Sequence, residues 1–141
     1  MPLQKEIREL LDRPNFFHFT TLMPDGSPTS TPVWGGVEAD HVIICTGENT
    51  LKAKNVRRDP RVSISVVDFD DPYEEVQIRG RVAEIRDDTN FRDIDAISRK
   101  YTGKPFPWRD PKGRIALVIE VESARYTKLP FKHTPPQLEP V

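Results

Sequence analysis

Hydrophobic residues alternate with polar ones along much of the chain, in short runs that are typical of half-buried β-strands. Six segments show this alternation or are rich in β-branched and aromatic residues: 16–22, 27–34, 41–46, 62–66, 76–85 and 114–125. A Pro-Asp-Gly turn at 24–26 separates the first two segments, which together predict a hairpin. Gly35 and Gly36 end its second strand, and Gly80 predicts a bulge or a close backbone approach.

Three other segments repeat their apolar residues with the period of an α-helix. They predict helices over residues 3–12, 51–58 and 88–101. The second of these helices is short and basic, and Asn49 or Thr50 caps its start. A Pro follows its last turn and ends it.

The order of the elements is helix, three strands, helix, two strands, helix and strand, without a series of β-α-β units. Such an order favours antiparallel pairing between neighbouring strands. We therefore predict a mainly β (α+β) fold, in which six or seven antiparallel strands form a small barrel covered by the helices. Residues 1–129 form one domain, and the Pro-rich tail 130–141 is either disordered or draped over a neighbouring subunit.

Composition narrows the class of protein. The 141 residues include 21 Lys and Arg against 22 Asp and Glu, a balance that argues against a dedicated nucleic-acid binder. The single cysteine, Cys45, excludes an internal disulfide and favours a reducing compartment. No signal peptide and no membrane span is visible, so we expect a cytoplasmic protein without a membrane partner. The scattered histidines predict no metal site.

The highest density of charge lies at residues 52–61, where five cationic side chains face a single acidic one. A solvated helix face would explain such a run. However, the run follows a strand and a capping residue, where free N–H groups and the helix dipole favour an anion. Thr50 adds a hydroxyl group there, and Lys52 and Lys54 add positive charge. We interpret the helix start as a phosphate site.

Polar side chains on the predicted strands form a second candidate surface, suited to a planar polar ligand unless they face solvent. They are Ser30, Thr31, Ser63, Ser65 and Gln77. Trp108, in a Pro-rich loop at 103–113, is a candidate lid over an aromatic ring. The sequence has no nucleophile elbow, P-loop or dinucleotide-binding glycine motif. If the protein is an enzyme, a bound cofactor supplies the chemistry.

The order of these motifs resembles the split β-barrel flavin and deazaflavin oxidoreductases related to pyridoxamine 5'-phosphate oxidase. It is closest to the branch that uses coenzyme F420. The resemblance covers residues 5–127, and its most specific part is K-x-K-N-x-x-R-D-P-R at 52–61. It implies a fold of the FMN-binding split-barrel type. It also implies a homodimer with two cofactor sites at the subunit interface.

Carried over by position, the resemblance makes Lys52 and Lys54 phosphate ligands, with Thr50 and Asn55 beside them. The strands that flank the cofactor ring carry Ser30, Thr31, Pro32, Val33, Ser63 and Ser65. The oxidase itself typically has arginine on its second strand for the FMN phosphate, whereas this chain has Thr-Ser-Thr-Pro at 29–32. This departure favours F420 over FMN.

The implied reaction is hydride transfer between reduced F420 and a small unsaturated organic acceptor. One alternative is an FMN flavoprotein that works with oxygen or a nicotinamide cofactor. Another is a non-catalytic module that binds a flavin, haem or another tetrapyrrole. Nucleic-acid binding through residues 52–61 is disfavoured, because no aromatic side chains are interleaved with the basic ones. The sequence identifies neither the acceptor nor a proton donor.

Overall fold

A single seven-stranded antiparallel sheet forms the centre of the fold in the computed structural model, which describes residues 1–140. Its strands are β1 (Phe17–Leu22), β2 (Pro28–Val33), β3 (Gly36–Glu38), β4 (His41–Gly47), β5 (Arg61–Val67), β6 (Glu74–Asp87) and β7 (Arg114–Lys128). Their order across the sheet is β2-β1-β5-β6-β7-β4-β3. The sheet curls around a core, and its edge strands β2 and β3 do not pair with each other. The predicted mainly β, antiparallel fold is confirmed.

Three helices within residues 1–140 cover the sheet: α1 (Lys5–Asp12), α2 (Leu51–Arg58) and α3 (Arg92–Thr102). The bounds of α2 agree with the prediction, whereas α3 begins four residues later than predicted, at 92 instead of 88. The reason is Asp88, whose buried carboxylate accepts the backbone N–H groups of Asp93 and Ile94 and thereby holds the loop before the helix. Within residues 1–140, no helix has the length and apolar composition needed to cross a membrane.

Alternate strand residues point into the curled sheet and form the main core, which α1 and α2 close. Its largest buried side chains include Phe17, Phe19, Leu10, Leu11, Ile44, Ile64, Ile78, Leu117 and Ile119. A smaller cluster lies on the other face of β4 and β7, where Ile97 of α3 packs against Ile43, Ala116 and Val118. Cys45 packs against this smaller cluster, as a small hydrophobic residue does.

Gly80 has both features that the sequence predicted. The pairing register between β6 and β7 shifts between Arg79 and Gly80, as it does at a β-bulge. A Cβ atom at Gly80 would lie 2.2 Å from the carbonyl oxygen of Glu120. The two strands therefore approach each other more closely at this point than a side chain allows.

Strand β3 was not predicted, because the sequence analysis let Gly35 and Gly36 end the hairpin. Gly36 instead begins a three-residue strand that pairs with β4. Gly35 permits close packing, since a Cβ atom there would lie 2.2 Å from the ring of Phe17.

From residue 129 to residue 140 the chain has no helix or strand, and Val141, the last residue of the predicted tail, lies outside the described residues. The start of this segment contacts the body of the protein through Tyr73. The backbone N–H of Leu129 donates to the carbonyl oxygen of Tyr73 at 3.0 Å. The rings of Phe131 and His133 pack against the Tyr73 ring, at centroid distances of 5.5 and 5.9 Å.

Candidate functional site

The strand residues predicted to line a cofactor lie on opposite faces of the sheet. In the register of β1 and β2, Thr31 lies opposite the buried Phe19 and therefore points inward, as does Val33 two residues later. Ser30 and Pro32 occupy the alternate positions and are exposed on the outer face. One strand thus contributes to two different surfaces.

The outward-pointing candidates form two rows across neighbouring strands. The first row is Ser30, Thr20, Ser63 and Arg79, and the second is Pro32, His18, Ser65 and Gln77. A groove of about 950 Å³ runs beside the first row, and its lining includes Arg61, Arg79 and Arg81. The structure therefore brings the predicted outward-facing hydroxyl and amide groups together on one polar outer face.

The inward-pointing Val33 borders a second cavity, of about 320 Å³, which lies between the end of β2 and the start of α2. We call it the α2 cleft. Its lining includes Val33, Trp34, Thr46, Thr50, Phe106 and Arg114. A residue from the predicted ring-binding strand and a residue from the predicted phosphate site thus share one cavity.

Aromatic rings form one wall of the α2 cleft. The Trp34 ring stacks on Tyr101 with a centroid distance of 5.0 Å and an interplanar angle of 6°, and Phe106 meets Trp34 edge-on at 6.3 Å. Trp108, the predicted lid, packs edge-on against Phe106 at 5.4 Å and is 74% exposed. The aromatic lining therefore comes from Trp34 and Phe106, with Trp108 outside them.

Thr50 begins α2 as its N-cap, as predicted. Its Oγ1 accepts the backbone N–H of Ala53 at 3.3 Å and donates to the carbonyl oxygen of Gly47 at 2.9 Å. The hydroxyl oxygen of Thr46 lies 2.9 Å from Thr50 Oγ1. The Thr50 hydroxyl is therefore occupied within the chain, where it caps the first turn of α2.

The five cations of residues 52–61 divide into two groups. The three arginines bind groups of the chain itself: Arg57 donates to the Glu48 carbonyl, Arg58 to the Leu22 carbonyl, and Arg61 pairs with Asp59. Lys52 and Lys54 form no ion pair within residues 1–140. The two lysines are thus the cations of this segment that remain for a ligand.

Lys52 and Lys54 differ in their environments. Lys52 is half-buried, and burial lowers the pKa of its ammonium group, whereas Lys54 is exposed. Residues two positions apart on a helix do not share a face. The lysines therefore flank the start of α2 from different sides, and each can be tested separately.

The structure gives Asn55 a different role from the one that the resemblance implied. Its side chain is completely buried, and its amide nitrogen donates to Thr21 Oγ1 at 3.0 Å. Its amide oxygen accepts from Arg58 at 2.8 Å. Asn55 thus fastens α2 to β1, because both ends of its amide group are bound within the chain.

Sequence reasoning missed Arg114, the first residue of β7, because it precedes an apolar run that reads as an ordinary strand. Its side chain lines the α2 cleft, and its guanidinium carbon lies 5.0 Å from the centre of the Phe106 ring. The Nε atom is buried and has no hydrogen-bond partner in the part of the chain that the structure describes. It is the one charged side chain in the described lining of the cleft.

Comparisons with known proteins agree with this architecture. Residues 3–128 match the family model described as pyridoxamine 5'-phosphate oxidase. No curated protein sequence matches the chain significantly.

Three solved structures illustrate the likeness. An F420 reductase has a TM-score of 0.79 and 27% identity, over 89% of this chain and 98% of that one. A conserved hypothetical protein from Mycobacterium tuberculosis has a TM-score of 0.77 and 25% identity, over 96% and 94% of the two chains. General Stress Protein 26 from Bacillus anthracis shares the fold, with a TM-score of 0.66 and 15% identity over 87% and 92%. Because the family model spans almost the entire chain, this protein belongs to the pyridoxamine 5'-phosphate oxidase family.

Proposed function

We propose that the protein is an F420-dependent oxidoreductase that transfers a hydride between reduced F420 and an unsaturated organic acceptor. The observation that carries the proposal is the α2 cleft, whose lining includes both Val33, from the strand predicted to flank the cofactor ring, and Thr50, at the helix start predicted to bind its phosphate. The likeness to an F420 reductase at 27% identity supports the same assignment. Family membership alone supports the broader class of flavin and deazaflavin oxidoreductases.

The residues of the cleft fit such a cofactor. Val33, Trp34 and Phe106 offer apolar and aromatic surface to a planar ring. Lys52 and Lys54 are not in the described lining of the cleft, but they follow its Thr50 by two and four residues on α2 and lack ion-pair partners in residues 1–140. They would hold the phosphate together with the first-turn N–H groups of α2. When bound, the deazaflavin supplies the hydride chemistry, while the chain positions the ring and limits its contact with water.

We further propose that a second copy of the chain completes each site. Ser30, Pro32, Ser63, Ser65 and Gln77 lie on the outer face and point away from the α2 cleft. Phe16 and Phe69, which are 45% and 73% exposed, border the same face beside Pro32. In a twofold dimer, the outer face of one protomer would cover the cofactor held by its partner. Light scattering should then give a mass near twice the 16.2 kDa of one chain; a monomer at micromolar concentration would contradict this assembly.

The cofactor is tested by adding F420, FMN or haem to the purified protein in parallel and recording absorption and tryptophan fluorescence. We expect F420 to bind most tightly and reduced F420 to be oxidised when conjugated enones or quinones are added. Tight FMN binding without F420 binding would favour the flavoprotein alternative. Haem binding without turnover of either reduced cofactor would favour the tetrapyrrole-binding module.

A further inference from the structure

The α2 cleft contains a cation without an assigned partner. Arg114 forms no ion pair with any described residue, and its buried Nε donates no hydrogen bond within residues 1–140. Of the five N–H donors of a guanidinium group, the Nε–H of Arg114 is buried without a partner, and leaving such a donor dry is unfavourable. Stacking on Phe106 accounts for the placement of the group but provides no acceptor for the buried Nε–H.

The acidic groups nearest to Arg114 along β6 and α3 are already bound elsewhere. The carboxylate of Asp88, whose backbone N–H donates to the Arg114 carbonyl oxygen, accepts two N–H groups at the start of α3. Asp93 pairs with Arg86 at 2.7 Å. Burial raises the pKa of the neighbouring Cys45 thiol, so this group stays neutral and provides no anion. The Glu48 carboxylate lies beside Gly113, the residue before Arg114, but forms no ion pair with Arg114 within residues 1–140. No acidic side chain is part of the described lining of the cleft.

The rest of the lining describes the ligand that would meet this cation. Trp34 and Phe106 provide aromatic surface, and Ile94 and Ile97 provide aliphatic surface. The hydroxyl groups of Thr46 and Thr50 bind each other. A planar apolar ligand would thus find one charged group, and the flat fork of a guanidinium matches a carboxylate or a delocalised ring oxygen.

We propose that Arg114 binds an anionic oxygen carried by a planar, conjugated ligand in the α2 cleft. The identity of this ligand rests on the proposed function, which offers two sources of the same chemistry. One source is an acceptor substrate with a carboxylate conjugated to its double bond. The other is the ring of the reduced cofactor, in which an oxygen atom gains negative charge. In both cases Arg114 would favour the bound, negatively charged form over its neutral counterpart.

The first arm of the test uses the full chain without added cofactor. The probes are trans-cinnamate and its neutral amide. Their binding is measured by the quenching of tryptophan fluorescence. If the acceptor is the source, the parent should bind the carboxylate at least about tenfold more tightly than the amide, and Arg114→Gln should abolish this preference. Arg114→Lys should retain part of it, because lysine keeps the charge but loses the fork. Arg99→Gln, which removes an exposed arginine of α3, should behave like the parent.

The second arm measures the dissociation constants of oxidised and reduced F420 for the parent, Arg114→Gln and Arg99→Gln. If the cofactor is the source, Arg114→Gln should weaken binding of the reduced form about tenfold more than that of the oxidised form. A thermal melt of each variant shows whether it is folded. If Arg114→Gln does not fold, the proposal is judged from two other results: the preference of the parent for the carboxylate probe, and the part of that preference that Arg114→Lys retains.

Loss of the carboxylate preference in the first arm supports the proposal and identifies the acceptor as the source of the anionic oxygen. Selective loss of affinity for reduced F420 in the second arm supports the proposal and identifies the cofactor as the source. The proposal is overturned if the parent shows no carboxylate preference and folded arginine variants bind both redox forms with parental affinity. The first arm contains no F420, so its result stands even if the cofactor assignment fails. Conversely, if F420 binds tightly and its affinity is the same in the parent and in the folded Arg114 variants, the proposed function stands but Arg114 does not have this role.

Discussion

Replacing Thr50 with alanine removes the hydroxyl group that begins α2. Loss of the N-cap bond to Ala53 costs about 1 kcal/mol in comparable helices. The hydroxyl of Thr46, a residue that is only 6% exposed, loses its partner at 2.9 Å as well, and an unsatisfied buried hydroxyl adds roughly 1 kcal/mol. We therefore expect Thr50→Ala to lower the free energy of unfolding by about 2 kcal/mol, and the disordered first turn should also weaken cofactor binding.

Urea unfolding followed by tryptophan fluorescence measures this change. With a slope of about 2 kcal/mol per M, the midpoint of Thr50→Ala should fall by about 1 M. Thr50→Ser keeps the hydroxyl and should stay within about 0.5 kcal/mol of the parent. Equal stability of Thr50→Ala and the parent would refute the capping role. Equal losses in the alanine and serine variants would show that the methyl group, and not the hydroxyl, matters.

Two further predictions concern stability. Gly80→Ala should destabilise the protein by about 1–3 kcal/mol in the same urea assay, because its Cβ would lie 2.2 Å from the Glu120 carbonyl oxygen; parental stability would contradict the close approach. Arg13→Ala should destabilise at pH 7, because Arg13 contacts Asp68 at 2.6 Å and holds the pKa of the Glu74 carboxyl below its usual 4.5. A lowered pKa contributes stability above pH 4.5 that is lost as the pH falls, so the difference between parent and variant should shrink in acid; a gap that is constant with pH would exclude this coupling.

The local pattern of hydrophobic and polar residues was sufficient to predict most of the fold. Period-two runs and the basic helical segment predicted six strands and α2 because each element buries one face of its own sequence. Strand β3 was not predicted, because a segment of three residues that begins with glycine is too short to show a periodic pattern. The start of α3 was misplaced because a carboxylate from a preceding loop residue, Asp88, supplies the hydrogen bonds at its first turn.

The candidate site was harder to predict, because it depends on which strand faces meet. The sequence placed Ser30 and Val33 in one ligand-binding strand, but their opposite orientations follow only from the register with β1. The burial of Asn55 follows from its contact with Thr21, which lies 34 positions away in the chain. Arg114 carries no local signal, since its unpartnered position appears only when β7 is placed beside α2 and the Phe106 loop.

The central claim, that F420 binds at the start of α2, is tested most directly by equilibrium titration of F420 and FMN into four proteins. These are the parent, Lys52→Ala, Lys54→Ala and the control Lys5→Ala, whose side chain is 83% exposed on α1. We predict that the parent prefers F420 and that each α2 lysine variant loses about tenfold in affinity without loss of stability. Higher salt should weaken binding to the parent, and Lys5→Ala should match it. A preference for FMN, or unchanged F420 affinity in both folded lysine variants, would contradict the account.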